Sequence, residues 1–113
     1  FTSCKSLKKI CLIKVYNLAN YTFRECVSLP FIIFPKSLES IGSYAFQNCY
    51  GIQLYDFRSL EQVPTLSSTN AFNGTYTYLK IVVPDALYDE WIAATNWTSY
   101  ASKIVKASEY TQV

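Results

Sequence analysis

The chain has 113 residues, half of them hydrophobic and 16% charged, a balance that supports a packed core and excludes a disordered chain. A net charge of +2 is too small to drive nucleic-acid binding, and Lys8-Lys9 is the only adjacent basic pair. The absence of histidine removes Ser-His-Asp and Cys-His chemistry, and three glycines form no phosphate-binding loop, so no enzyme and no cofactor are expected.

The first element is a repeat. The chain opens Phe1-Thr2-Ser3-Cys4, and the same Phe-x-x-Cys interval returns at Phe23 and Cys26, then at Phe46 and Cys49. Self-similarity at this spacing means a stack of supersecondary units. The first unit carries Leu7, Ile10 and Leu12 and reaches Phe23 after 22 residues. In the second unit, Leu29, Ile32, Phe34, Leu38, Ile41 and Ala45 lead to Phe46 after 23 residues. Ile32 and Phe34 alternate, which predicts a short strand with both side chains inward. Pro35 ends it, because proline cannot donate to a ladder. Gly42 is expected to allow a backbone turn that a side chain would hinder.

The third unit runs from Phe46 through Cys49, Ile52, Tyr55, Phe57, Leu60 and Val63 to Phe72, 26 residues on. Its extra length is assigned to "PTLSSTN", read as a loop. The last unit gives Phe72, Thr75, Tyr78, Ile81, Val83 and Pro84, with Thr75 where the earlier units have cysteine. Units this short cannot bury their own apolar faces, and stacking buries them against each other. Because residue 1 falls inside a repeat, the array is expected to continue upstream.

The repeat "F-x-x-C-x-x-L-x-x-I-x-[LF]-P-x-S-L-x-x-I-G-x-x-A-F" resembles the BspA-type leucine-rich repeat, most fully between Phe23 and Phe46. The segment "VPDALYDEWIAATNWTSYASKIVKASEY" is similar to the one that closes such arrays in surface proteins of gut Firmicutes. The resemblance implies an α/β solenoid, right-handed, in which short parallel strands stack over residues 1–84 in units starting near 1, 23, 46 and 72. It also implies a secreted or cell-surface protein that binds a protein or surface ligand, as in adhesion. The rival readings are a structural stalk or spacer, and a targeting module of a larger enzyme or of a phage receptor-binding protein.

Residues 85–113 change pattern. Asp85 is positioned to cap a helix, with Asp89 and Glu90 in its early turns. Leu87, Trp91 and Ile92 recur at helical spacing. "TNW" breaks that helix. Asn96 or Thr98 is expected to cap a second helix that turns Tyr100, Ile104 and Val105 inward. The pair is read as a helical cap over the end of the stack.

Cys4, Cys26 and Cys49 share one position in three units and are expected to form a column. They read as buried thiols filling a tight turn. The alternative is a disulfide between Cys26 and Cys49, since stacked coils about 5 Å apart lie within bridging range. No CxxC pair or histidine supplies a zinc site. Cys11 stands outside the column.

A binding face is expected where strand residues point away from the core. These are Lys9 and Cys11, then Phe31 and Ile33, Leu54 and Asp56, and Lys80 and Val82. Phe31, Ile33, Leu54 and Val82 would form an apolar patch of the kind that marks an interaction site. The alternative is that the register differs or that other elements cover the patch. The N-terminal coil, with Phe1, Leu7 and Ile10, presents an unpaired edge from which weak homodimerisation is expected. Asn20, Asn73 and Asn96 each open an Asn-x-Thr triplet. They are read as turn and cap residues, the alternative being glycan acceptors in a eukaryotic secretory protein. No apolar run is long enough to span a bilayer, and no signal peptide is visible.

Overall fold

A computed structural model describes residues 15–23, 25, 29–76 and 78–110 of the chain. The expected positions Lys9 and Cys11, Cys4 and Cys26, and the N-terminal coil with its dimerisation edge lie outside the described residues.

The second and third units each lay down two short strands, and strands of successive coils pair in parallel. Strands β1 (Asn17–Leu18), β3 (Ser40–Ile41) and β5 (Thr65–Leu66) form one sheet in that order. Strands β2 (Phe31–Ile33), β4 (Leu54–Asp56), β6 (Lys80–Val83) and β7 (Ile104–Lys106) form the other. In the larger sheet Ile32, Tyr55, Ile81 and Ile104 stand in register, and all four are buried. This is the inward column that the repeat spacing defines, with Ile104 as an added member from the tail. The fold is a leucine-rich-repeat stack with little helix.

The aromatic positions of the repeat make two columns. Phe23, Phe46 and Phe72 stack face to face, with centroids 5.6 and 5.2 Å apart. Phe34 and Phe57 stack at 4.3 Å. The columns touch at right angles where Phe34 meets Phe46, 5.8 Å away. Offset stacks and edge-to-face contacts both suit the ring quadrupole, so each added unit extends favourable geometry along with buried area. Backbone bonds bind the coils at the turns as well. The Phe23 N–H donates to the Ala45 carbonyl at 2.7 Å, and the Phe46 N–H to the Ala71 carbonyl at 2.8 Å.

Turn positions recur with the same backbone strain. Glu25, Asn48 and Gly74 occupy equivalent places two residues after Phe23, Phe46 and Phe72, and all have positive φ, at 62°, 60° and 73°. Only the last unit places a glycine there, where a side chain costs least. Gly42 serves another purpose than expected. Its φ is ordinary, but a Cβ there would stand 2.6 Å from the Asn20 nitrogen and 2.7 Å from the Ala19 carbonyl carbon. Its smallness lets one coil sit on the next.

Several local expectations are corrected. The insertion read as loop contains β5 and a 3-10 turn over Thr69–Phe72. Pairing with β3 supplies bonds that its Ser/Thr-rich composition did not announce: the Thr65 N–H donates to the Glu39 carbonyl at 2.9 Å and the Ser67 N–H to the Ile41 carbonyl at 3.0 Å. Asp85 does not cap the helix α1 (Tyr88–Ala93). It lies in a preceding 3-10 turn, Asp85–Leu87, and its carboxylate accepts the Ser108 N–H at 3.0 Å. The second tail helix is a 3-10 segment, Trp97–Lys103, and Ile104 and Val105 belong to β7. Asn96 precedes that segment in a left-handed conformation, but its amide donates to the Leu66 carbonyl at 2.7 Å and forms no cap.

Candidate functional site

The outward side chains of the larger sheet fall in two rows. Phe31, Leu54 and Lys80 stand side by side, and one step along the strands Ile33, Asp56, Val82 and Val105 do the same. The spacing therefore brings the six expected positions Phe31, Ile33, Leu54, Asp56, Lys80 and Val82 onto one face, yet their exposure differs. Ile33 is 46% exposed and Phe31 half-buried, whereas Leu54 and Val82 are buried. The continuous apolar patch is thus corrected: only its first-strand end is open. In parallel sheets each inner strand is flanked on both sides, and β4 and β6 are inner strands.

Asp56 is the one buried charged side chain of the described residues. It accepts the Arg58 N–H at 3.0 Å, and its two oxygens receive the Arg58 Nε–H at 2.9 and 3.0 Å. Three charge-assisted bonds to its own turn satisfy this carboxylate internally, which suits a strand terminator better than a ligand-binding acid.

The concave part of the face lies at the other row. A cleft of about 330 Å³ runs over Phe31 and Leu54 and is walled by Tyr76, Tyr78 and Tyr110, with Lys80 at its rim. Tyr78 is 74% exposed, and its ring meets that of Tyr76 at 5.7 Å and 73°. The repeat spacing placed Tyr78 inward, at the position of Leu29 and Ile52. The structure corrects this. The Ile52 N–H bonds the Cys49 carbonyl, but the corresponding bond in the last unit joins Leu79 to Tyr76. One residue has slipped, so Leu79 fills the core and Tyr78 turns out. Neither Tyr76 nor Tyr110 carried a sequence signal beyond the abundance of tyrosine. Lys80 is exposed and makes no ion pair among the described residues.

A second hollow of about 510 Å³ lies between the β5 strand and the tail, near Glu90 and Thr95. Its floor is Trp97, whose indole bonds the array, so this hollow is a seam of the fold. Of the cysteine column, Cys49 is described. It is buried, and its sulfur donates to the Phe23 carbonyl one coil away. Of the three Asn-x-Thr asparagines, Asn20 accepts the Ser43 N–H at 2.8 Å, Asn96 bonds Leu66, and Asn73 is exposed. Among the described residues no group of three His, Cys, Asp or Glu side chains could hold a metal ion, and no helix is long and apolar enough to cross a membrane.

Neither a curated protein nor a solved structure matches the chain. A family model described as BspA type Leucine rich repeat region (6 copies) matches residues 1–90. The paired strands, the stacked phenylalanines and this match together place the chain in the BspA-type leucine-rich repeat family.

Proposed function

We propose that the chain is a non-catalytic, surface-displayed interaction module that binds a protein partner through the outward face of its larger sheet. The observation that carries this reading is the tyrosine-walled cleft over Phe31 and Leu54. Tyrosines offer large, stiff, amphipathic contact area at low entropic cost, the chemistry that dominates protein-binding surfaces. Tyr78 is held by Tyr76 while three-quarters of it meets solvent, an arrangement that core packing does not require. The second row beyond Ile33, with Val82 buried and Asp56 tied to Arg58, favours the spacer reading for that part of the face alone.

The test is selection of a displayed random-peptide library on the immobilised chain. Enriched peptides should bind the parent and the Tyr50→Ala variant alike, since Tyr50 is exposed and takes no part in the cleft. They should lose binding to Tyr78→Ala. No enrichment, or binding indifferent to Tyr78, would remove the sheet face as the site.

A further inference from the structure

We infer that the cleft recognises a short proline-containing, acidic segment in the polyproline II conformation. This rests on the sheet face being the binding surface and names the chemistry of its partner.

Three features select that class. First, the rings of Tyr76 and Tyr78 stand 73° apart, so they form a notch and not a flat platform. A pyrrolidine ring wedges into such a notch, and grooves between aromatic side chains are the recurring receptors for proline-rich chains. A sugar ring would instead seek a flat aromatic face. Second, among the described residues the only charge at the cleft is Lys80, and no carboxylate lines it. Lys80 has no ion pair among the described residues, so an incoming acid meets an uncompensated cation at the rim. Third, the polar groups suit an unpaired backbone. Gln53 lines the cleft, and its backbone is already used: its N–H donates to Pro30 and its carbonyl accepts from Lys80, both at 2.9 Å. Its side-chain amide and the tyrosine hydroxyls are left to meet the carbonyls that a polyproline II chain keeps unbonded.

The size also fits a short motif. A cleft of about 330 Å³ sits at the low end of small-ligand sites, roughly 300–1,000 Å³, and admits a few residues. Polyproline II repeats every three residues, so a Pro-Pro-Glu repeat presents prolines along two edges and carboxylates along the third. Proline in the Tyr76–Tyr78 notch then leaves the acid beside Lys80.

The experiment is fluorescence anisotropy on the chain with a fluorescein-labelled peptide of three Pro-Pro-Glu repeats. Comparison peptides carry Pro-Pro-Lys or Gly-Ser-Glu repeats, and a sialylated trisaccharide serves as competitor. Saturable binding of the first peptide is expected, with each comparison peptide at least about tenfold weaker. Tyr78→Ala should weaken binding about tenfold, as truncation of an aromatic anchor does. Lys80→Glu should weaken it and shift preference toward the lysine peptide, while Tyr50→Ala changes nothing. Near-UV circular dichroism checks that each variant is folded, and Lys80→Gln repeats the charge test with a milder change. Absence of binding, equal binding of the comparison peptides, insensitivity to Tyr78→Ala and Lys80→Gln, or displacement by the trisaccharide would each overturn the inference. If library selection enriches Tyr78-dependent peptides lacking proline and acid, this inference fails while the interaction face stands.

Discussion

The indole N–H of Trp97 donates to the Pro64 carbonyl at 2.8 Å, across the end of the repeat stack. Two residues further along the same strand edge, the Asn96 amide donates to the Leu66 carbonyl at 2.7 Å. The hydroxyl of Tyr100 continues the series to the Thr69 carbonyl. Among the described residues β5 is the last strand of the smaller sheet, so there its outward carbonyls meet no further strand. Side chains of the tail supply the donors that the next strand would have given, which closes an edge otherwise open to other chains.

This arrangement makes Trp97 both an apolar plug and a donor. It is fully buried, with Phe57 at 5.7 Å and Trp91 at 5.4 Å. Trp97→Phe keeps most of the buried area and strands the Pro64 carbonyl, for a cost of about 1–3 kcal/mol. Trp97→Ala should cost about 3–5 kcal/mol, because a cavity is added to the lost burial. Urea unfolding of both variants measures the difference. A phenylalanine variant as stable as the parent would show that the indole bond contributes nothing.

Phe46 occupies the centre of the core. It stacks on Phe23 and Phe72 and takes the edges of Phe34 and Tyr55. Phe46→Ala is expected to cost about 3–5 kcal/mol. Each coil leans on its neighbours, so the loss should lower one cooperative transition and not create two. Thermal unfolding followed at near- and far-UV wavelengths would reveal a second transition if the coils on either side of Phe46 are independent.

Repetition is what made the core legible. Phe23, Leu29, Ile32, Phe34, Leu38, Ile41, Ala45 and Phe46 are all buried, and the same spacing places Ile52, Tyr55, Phe57 and Phe72. The smaller sheet was not legible, because its strands are two residues long and carry no periodicity of their own. In the tail, Trp91 followed from helical spacing, but "KIVK" fits either a helix face or a strand, and pairing with β6 decides for the strand. The role of Trp97 is not legible, because it follows a helix-breaking Thr-Asn pair and belongs to no periodic stripe. The wall of the cleft was hidden by the slip between Thr75 and Leu79, which moves Tyr78 from the expected core position to the surface.

Gly42 tests how tightly the coils approach. Its own N–H donates to the Leu18 carbonyl at 2.7 Å, which draws the two turns together. A Cβ would meet backbone atoms of Ala19 and Asn20 at 2.6–2.7 Å, and backbone cannot step aside as a flexible side chain can. Gly42→Ala should therefore destabilise by about 1–3 kcal/mol, the range for overpacking. The substitution reduces unfolded-chain entropy and would otherwise stabilise. A midpoint that rises on chemical denaturation would mean the coils separate without cost.

The tail's first turn carries an acid-sensitive contact. The hydroxyl and N–H of Ser108 hydrogen-bond the Asp85 carboxylate and hold its pKa below the ordinary aspartate value, with Lys106 adding a smaller pull in the same direction. The folded state therefore binds this proton less tightly than the unfolded state. The stabilisation is fully present above the unfolded pKa of about 3.9 and is lost as pH falls through the lower folded value. Because Asp85 is exposed, the effect is small and weakens with salt. Asp85→Asn keeps an acceptor for Ser108 and removes the charge. At neutral pH the variant should melt below the parent, and the gap should close as the pH is taken below about 4. Groups shared by both proteins cancel in that comparison. Melting curves at low ionic strength over this interval decide it, and a gap that is constant with pH would show that the Asp85 charge plays no part in holding the tail.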